Sequence, residues 1–251
     1  MSTVFDLSGK VAIVTGGNGG IGYGIACGLA EAGVSIVIAA RRPEKTAKAV
    51  ASLQERGVQV LGVSTDVQNE AAVRAMVHAT VDAFGRVDIL VNNAGINIRK
   101  APQDYTLEEW QHVLNTNLTG VFLCAREVYP HMLKAGGGKI INIGSMTSIF
   151  GSNVAPAYSA SKGGVVQLTK SLAVFWAKDN IQVNAILPGW IHTELTASAS
   201  SERYQAIKAR IPHGRWGEPD ELAGAAVFLA SPASDYVTGI ALPVDGGYTS
   251  K

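Results

Sequence analysis

Short runs of consecutive apolar residues alternate with longer segments of helical periodicity along the whole chain. Seven runs rich in Val and Ile, at 10–15, 34–40, 58–65, 87–92, 139–144, 181–187 and 240–244, are strand candidates. Most are continuously apolar rather than alternating, as strands covered on both faces must be, which predicts a parallel sheet. Helical patterns fill the intervals at about 21–32, 44–56, 69–84, 106–134, 155–178 and 219–230. This βαβ rhythm predicts an α/β fold: one doubly wound Rossmann-type domain with a seven-stranded parallel sheet over residues 1–251. The one long irregular stretch, 189–215, follows the sixth strand. Long loops in compact domains are usually lids or binding loops, and ligands sit beyond the carboxyl ends of such strands, so a substrate lid is expected there.

Composition narrows the classes of function. Hydrophobic residues make up 47% of 251 and charged residues 16%, which excludes disorder and suits a single large core. The net charge of +1, without a basic cluster, argues against a nucleic-acid partner. No apolar stretch approaches membrane-spanning length, and the first residues lack the basic start and apolar run of a secretion signal, so a soluble, cytoplasmic protein is expected. Cys27 and Cys124 stand far apart among helical apolar residues, which predicts packing roles rather than a disulfide or a metal site.

The first strand runs into Thr15-Gly16-Gly17-Asn18-Gly19-Gly20-Ile21-Gly22 and then a helix. Glycines there let backbone turn tightly and approach a pyrophosphate, while the helix N-terminus supplies donors and partial positive charge. Three glycines at fixed offsets arise by chance roughly 0.3 times in a chain of this composition, so the strand-to-helix context carries the weight. Dinucleotide folds normally place a carboxylate at the end of the second strand to hold the ribose hydroxyls. This strand instead ends at Ala40, followed by Arg41-Arg42. A guanidinium without a competing carboxylate suits a 2′-phosphate, so NADP(H) is the expected cofactor, with NAD(H) the alternative. Arg41 is the phosphate candidate; Arg42 reads as the start of a solvated helix.

Tyr158 and Lys162 lie four apart near the start of a helical pattern and share a face. A free phenol has a pKa near 10. A neighbouring cation lowers it towards the range useful for acid–base work. Lys162 also falls on the stripe Tyr158, Lys162, Val165, Thr169, Leu172 and Trp176, where a lysine needs a role or a partner. Asn117 interrupts the apolar stripe Trp110, Leu114, Val121, Ala125, Val128 and Met132, so its amide must find hydrogen bonds, in a site or as a satisfied core residue. Ser145 follows the fifth strand at the edge where sites form; its hydroxyl could hold a carbonyl oxygen or simply make a turn.

Taken together, Thr-Gly-x-x-x-Gly-x-Gly at 15–22, Asn92-Asn93-Ala94-Gly95, Asn117, Ser145, Tyr158-x-x-x-Lys162 and Pro188-Gly189 resemble the short-chain dehydrogenase/reductase family in order and spacing. The likeness covers essentially the whole chain. It implies that Tyr158 donates or removes the substrate proton and that Lys162 lowers the tyrosine pKa and binds the nicotinamide ribose. It also implies that Ser145 orients the substrate oxygen and Asn117 holds a water in a proton relay. By the same resemblance Asp66 and Val67 meet the adenine, and Asn93, Ala94 and Gly95 border its ribose. Pro188, Gly189, Ile191 and Thr193 flank the nicotinamide end. Within the family, Ile140 to Met146, Arg215-Trp216-Gly217 and Leu222 through Val237 are similar to the branch of gluconate 5-dehydrogenase and 2-deoxygluconate 3-dehydrogenase. Arg99-Lys100 would suit the carboxylate of a small sugar-acid substrate. A 3-oxoacyl thioester reductase and a broad ketone reductase are the enzymatic alternatives, and a catalytically silent dinucleotide-binding module is the other. That last reading sits badly with a complete reacting set. Helices apolar on more than one face, at 120–125 and 165–177, need a second covering surface, and the resemblance implies a homotetramer.

Overall fold

The computed structural model describes residues 4–197 and 200–250. Seven strands form one all-parallel sheet: β1 (Val11–Thr15), β2 (Ser35–Ala40), β3 (Val60–Ser64), β4 (Ile89–Asn92), β5 (Gly138–Ile143), β6 (Ile181–Pro188) and β7 (Ala241–Val244). Their order is β3-β2-β1-β4-β5-β6-β7, so the winding direction reverses between β1 and β4. A crevice opens at such a reversal, outside the carboxyl ends of the strands.

Continuous apolar strands make sense because alternate residues feed two separate cores. Ala12, Val14, Ile36 and Ile38 pack towards α1 (Gly20–Glu31), α2 (Pro43–Gln54) and α8 (Ala223–Ala230). Val11, Ile13, Val37 and Ala39 pack towards α3 (Glu70–Phe84), α5 (Gly120–Lys134) and α6 (Pro156–Trp176). Both faces are therefore dry, as a parallel sheet requires.

A buried polar ladder fixes α6 against this sheet. The Asn92 amide donates to Asn142 Oδ1 at 2.9 Å, and the Asn142 amide donates to Thr169 Oγ1 at 2.9 Å. Buried hydrogen bonds of this kind favour one arrangement, although Asn92 Oδ1 has no partner of its own.

Two stretches differ from the sequence reading. The single helix expected at 106–134 is α4 (Leu107–Leu114) and α5 joined by a π-helical turn at Asn115–Thr119. The wider turn inserts one residue into the period, and such turns recur at functional sites. The expected irregular lid contains α7 (Ser201–Lys208) and is closed at its base by a backbone bridge between Ile191 and Gly217. Trp216 packs there against Trp190, His192 and Tyr204 with ring centroids 5.2, 5.3 and 4.8 Å away, giving the lid a small aromatic core.

Candidate active site

The crevice beyond β1 and β4 holds the glycine-rich turn. Gly16 and Gly20 adopt φ of +63° and +52°, a region where a side chain would be strained. At Gly22 a Cβ would collide with the Asn93 amide and lie 2.7 Å from the Gly16 carbonyl, so this glycine serves close packing and does not line the cleft. Asn93 clamps the turn from β4, donating to the carbonyls of Thr15 at 2.9 Å and Gly16 at 3.1 Å. Thr15 Oγ1 accepts in return from the backbone of Asn93 and Ala94. Asn18 is buried and ties the turn to α2 through Thr46 at 3.1 Å. The helix α1 follows Gly19 at its N-cap, with no side-chain cap and no acidic residue in its first turn, which leaves donors for an anion.

The expected cofactor residues line one continuous cleft: Gly16, Asn18, Gly19, Gly20 and Ile21 on the turn, Arg41 after β2, Asp66 and Val67 after β3. Asn93, Ala94 and Gly95 follow from β4, and Pro188, Gly189, Ile191 and Thr193 from the end of β6. These residues fit a pyrophosphate-containing dinucleotide: the turn has backbone where side chains would intrude, and β2 ends without a carboxylate. Three further charged residues, Arg42, Lys45 and Glu194, line the same cleft. The sequence reading missed the last two and assigned Arg42 to solvent.

At its inner end the cleft meets a second cavity, and both are lined by Ser145, Tyr158, Gly189, Leu195 and Thr196. Tyr158 and Ser145 share a hydrogen bond. Burial raises the Tyr158 pKa, while the Ser145 bond and the Arg99 charge oppose that rise. Lys162 is 3% exposed, donates to the Ile143 carbonyl at 2.6 Å, and has its pKa lowered to about 8 by burial. Its ammonium lies 5.7 Å from the Tyr158 ring centroid. The pair thus shares a face as the spacing implied, and Arg99 is a second cation whose charge acts on the phenol. Lys162 is aimed at the end of β5.

Asn117 sits in the π turn, fully buried and outside the cleft wall. Its Oδ1 accepts from the Ile96 amide at 2.8 Å, and its Nδ2 donates to the Ile96 carbonyl at 2.9 Å and to Ser161 Oγ at 3.1 Å. It holds the strand-end segment that carries Gly95 against α6. These three bonds satisfy its amide as a core clamp would.

The second cavity is electropositive. Arg99, Arg203 and Arg210 line it, and no Asp or Glu does among the described residues. Burial and the neighbouring Arg203 charge lower the Arg99 pKa, while Tyr158 opposes that. Arg203 and Arg210 ride on or just after α7, a polar helix whose approach to the site no short-range pattern could reveal.

The profile of a family described as enoyl-(acyl carrier protein) reductase matches residues 16–249. A 2-dehydro-3-deoxy-D-gluconate 5-dehydrogenase of Dickeya dadantii is 45% identical over 98% of both chains. A 5-keto-D-gluconate 5-reductase of Escherichia coli is 42% identical over 98% of both. A crystal structure of a gluconate 5-dehydrogenase from Burkholderia cenocepacia, in complex with NADP and tartrate, superposes with a TM-score of 0.94 at 42% identity, covering 98% of each chain. With matches of this extent, on a seven-stranded parallel fold whose crevice gathers Ser145, Tyr158 and Lys162, the chain belongs to the short-chain dehydrogenase/reductase family and is an oxidoreductase acting on CH–OH and C=O groups.

Proposed function

We propose that this enzyme interconverts a ketone and a secondary hydroxyl on a small sugar acid, using NADP(H). One observation carries the reading: Ser145 and Tyr158 stand where a dinucleotide cleft opens into a cavity lined by three arginines and, among the described residues, no carboxylate. Relatives whose names place them on gluconate derivatives support the substrate class, and the NADP in the Burkholderia structure supports the cofactor. Ala40 and Arg41 support it independently, since β2 ends without the carboxylate that would repel a 2′-phosphate.

In the reduction direction, Ser145 Oγ holds the substrate carbonyl oxygen beside Tyr158, whose phenol gives up its proton to that oxygen. The bound nicotinamide supplies the hydride in this direction and accepts it in the other. Oxidation needs the phenolate as base, and the Arg99 charge favours that form. Lys162, anchored on Ile143, offers its remaining donors to the nicotinamide ribose. Asn117 positions Gly95 and Ile96, and any water it holds would sit at that backbone. Arg99 and Arg203 bind the substrate carboxylate, and a bidentate guanidinium fixes both its charge and its plane.

Assembly follows from uncovered apolar surface. Phe122 and Leu133 on α5, and Val174 and Phe175 on α6, are exposed, with Val174 at 83%. A second copy pairing these helices across a two-fold axis covers them. Tyr236 and Ile240 before β7 provide the second interface of a homotetramer.

The test follows reduced-nicotinamide absorbance with NADP(H) and NAD(H) against keto-gluconates, neutral ketones and 3-oxoacyl thioesters. The proposal expects the highest kcat/KM with a keto-gluconate and NADPH. A higher value with a thioester or a neutral ketone overturns the substrate class, and comparable values with both cofactors overturn the NADP preference.

A further inference from the structure

An ion-pair bridge crosses the mouth of the cofactor cleft. Glu194, just after β6, accepts from Arg42 Nη2 at 2.8 Å and from Lys45 Nζ. Arg42 precedes the first residue of α2, and Lys45 lies in its first turn, so one carboxylate holds two cations on the far wall. All three residues line the cleft.

The bridge is held from both sides. Thr196 Oγ1 donates to the Ile191 carbonyl at 2.7 Å and accepts from the Thr193 amide at 3.0 Å, which fixes the turn carrying Glu194. On the other wall, a Cβ on Gly19 would collide with the Lys45 ammonium, while one on Gly20 would meet the Thr193 side chain at 3.2 Å. Lys45 and Thr193 therefore flank the same two glycines of the phosphate turn, and Glu194 joins them overhead.

Arg42 and Lys45 lie within reach of the ribose end of that cleft, beside Arg41 and Ala40. A 2′-phosphate arriving there meets cations already engaged by a carboxylate. It carries more charge and one more acceptor oxygen than that carboxylate, so it wins the exchange, at a cost in affinity. A dinucleotide lacking the phosphate has nothing to exchange and leaves the bridge to the lid intact.

We propose that Glu194 is a cofactor-specificity residue, a counter-ion that a 2′-phosphate displaces from Arg42 and Lys45 and whose displacement frees the lid segment from α2. The proposal rests on the dinucleotide reading of the cleft and adds to it a residue that limits the NADPH preference. The same competition explains why a cleft with three cations at its ribose end carries a carboxylate opposite them.

The ratio of NADH to NADPH dissociation constants isolates the effect, because the pyrophosphate and nicotinamide are common to both. It is read by nucleotide fluorescence titration, without turnover, in wild type and in Glu194→Gln. Two exposed ion pairs of ordinary strength imply a shift of roughly three- to tenfold towards NADPH in Glu194→Gln. In an Arg42→Gln, Lys45→Gln background the same substitution should no longer move the ratio. A ratio unmoved by Glu194→Gln, one that moves towards NADH, or a shift that survives in the double-variant background overturns the proposal. The wild-type ratio by itself tests the NADP preference, so the two ideas fail separately.

Discussion

Replacing Lys162 by methionine separates what a buried ammonium costs the fold from what it does in the site. The side chain is 3% exposed, and burial lowers its pKa from 10.5 to about 8. The unfolded chain therefore holds this proton more tightly, so wild-type stability rises as pH climbs from about 8 towards 10.5. A shift of that size opposes folding by about 3 kcal/mol at pH 7 and by about 2 kcal/mol at pH 9. Methionine keeps the unbranched stem and removes the charge, but it leaves the Ile143 carbonyl unpaired, a loss of about 1–3 kcal/mol. The two effects nearly offset at neutral pH, and the pH dependence becomes the diagnostic. The stability of Lys162→Met relative to wild type should fall by about 1 kcal/mol between pH 7 and pH 9, since only wild type gains over that interval. Urea unfolding followed by tryptophan fluorescence, at one protein concentration, measures it. Turnover should fall roughly 10²–10⁴-fold. A stability difference that ignores pH, or turnover near the wild-type value, refutes the reasoning.

Other expectations follow from single contacts. Gly22→Ala forces a methyl into the Asn93 amide and should cost about 1–3 kcal/mol in thermal unfolding while weakening NADPH binding in a titration. Arg99→Gln removes a cation that lowers the Tyr158 pKa, so the phenol keeps its proton longer and the alkaline limb of the reduction rate should move to higher pH. The same change should raise KM for an acidic substrate roughly 10- to 100-fold, as losing a charged hydrogen bond implies, with little effect on a neutral ketone. Ala40→Asp should reverse the cofactor preference, seen as kcat/KM with NADH exceeding that with NADPH. Phe175→Glu, on the exposed face of α6, should lower the sedimentation coefficient by breaking the helix-paired interface.

Most of the fold was legible because the strands are buried on both faces. Val11–Thr15 is apolar up to its last residue, and Ile181–Pro188 is buried throughout and apolar except at Gln182 and Asn184, a pattern with one common explanation. The phosphate turn and the Tyr158–Lys162 face were legible because glycine geometry and helical period are local properties. The π turn was not, since the apolar rhythm of α4 continues into α5 and hides the one-residue insertion at Asn115–Thr119. The period could place Lys162 beside Tyr158 but could not aim its ammonium, which found the Ile143 carbonyl. Arg203 lies on a polar helix that carries no apolar stripe to signal it. Glu194 meets Arg42 across 152 residues of sequence, a distance at which only the folded sheet brings them together.

The most direct test of the account is a crystal structure of the enzyme with NADP and a keto-gluconate. The ketone oxygen should lie within hydrogen-bond reach of both Tyr158 and Ser145, with the carboxylate held by Arg99 and Arg203. A substrate whose carboxylate points to solvent, or whose ketone lies away from Tyr158, would contradict it.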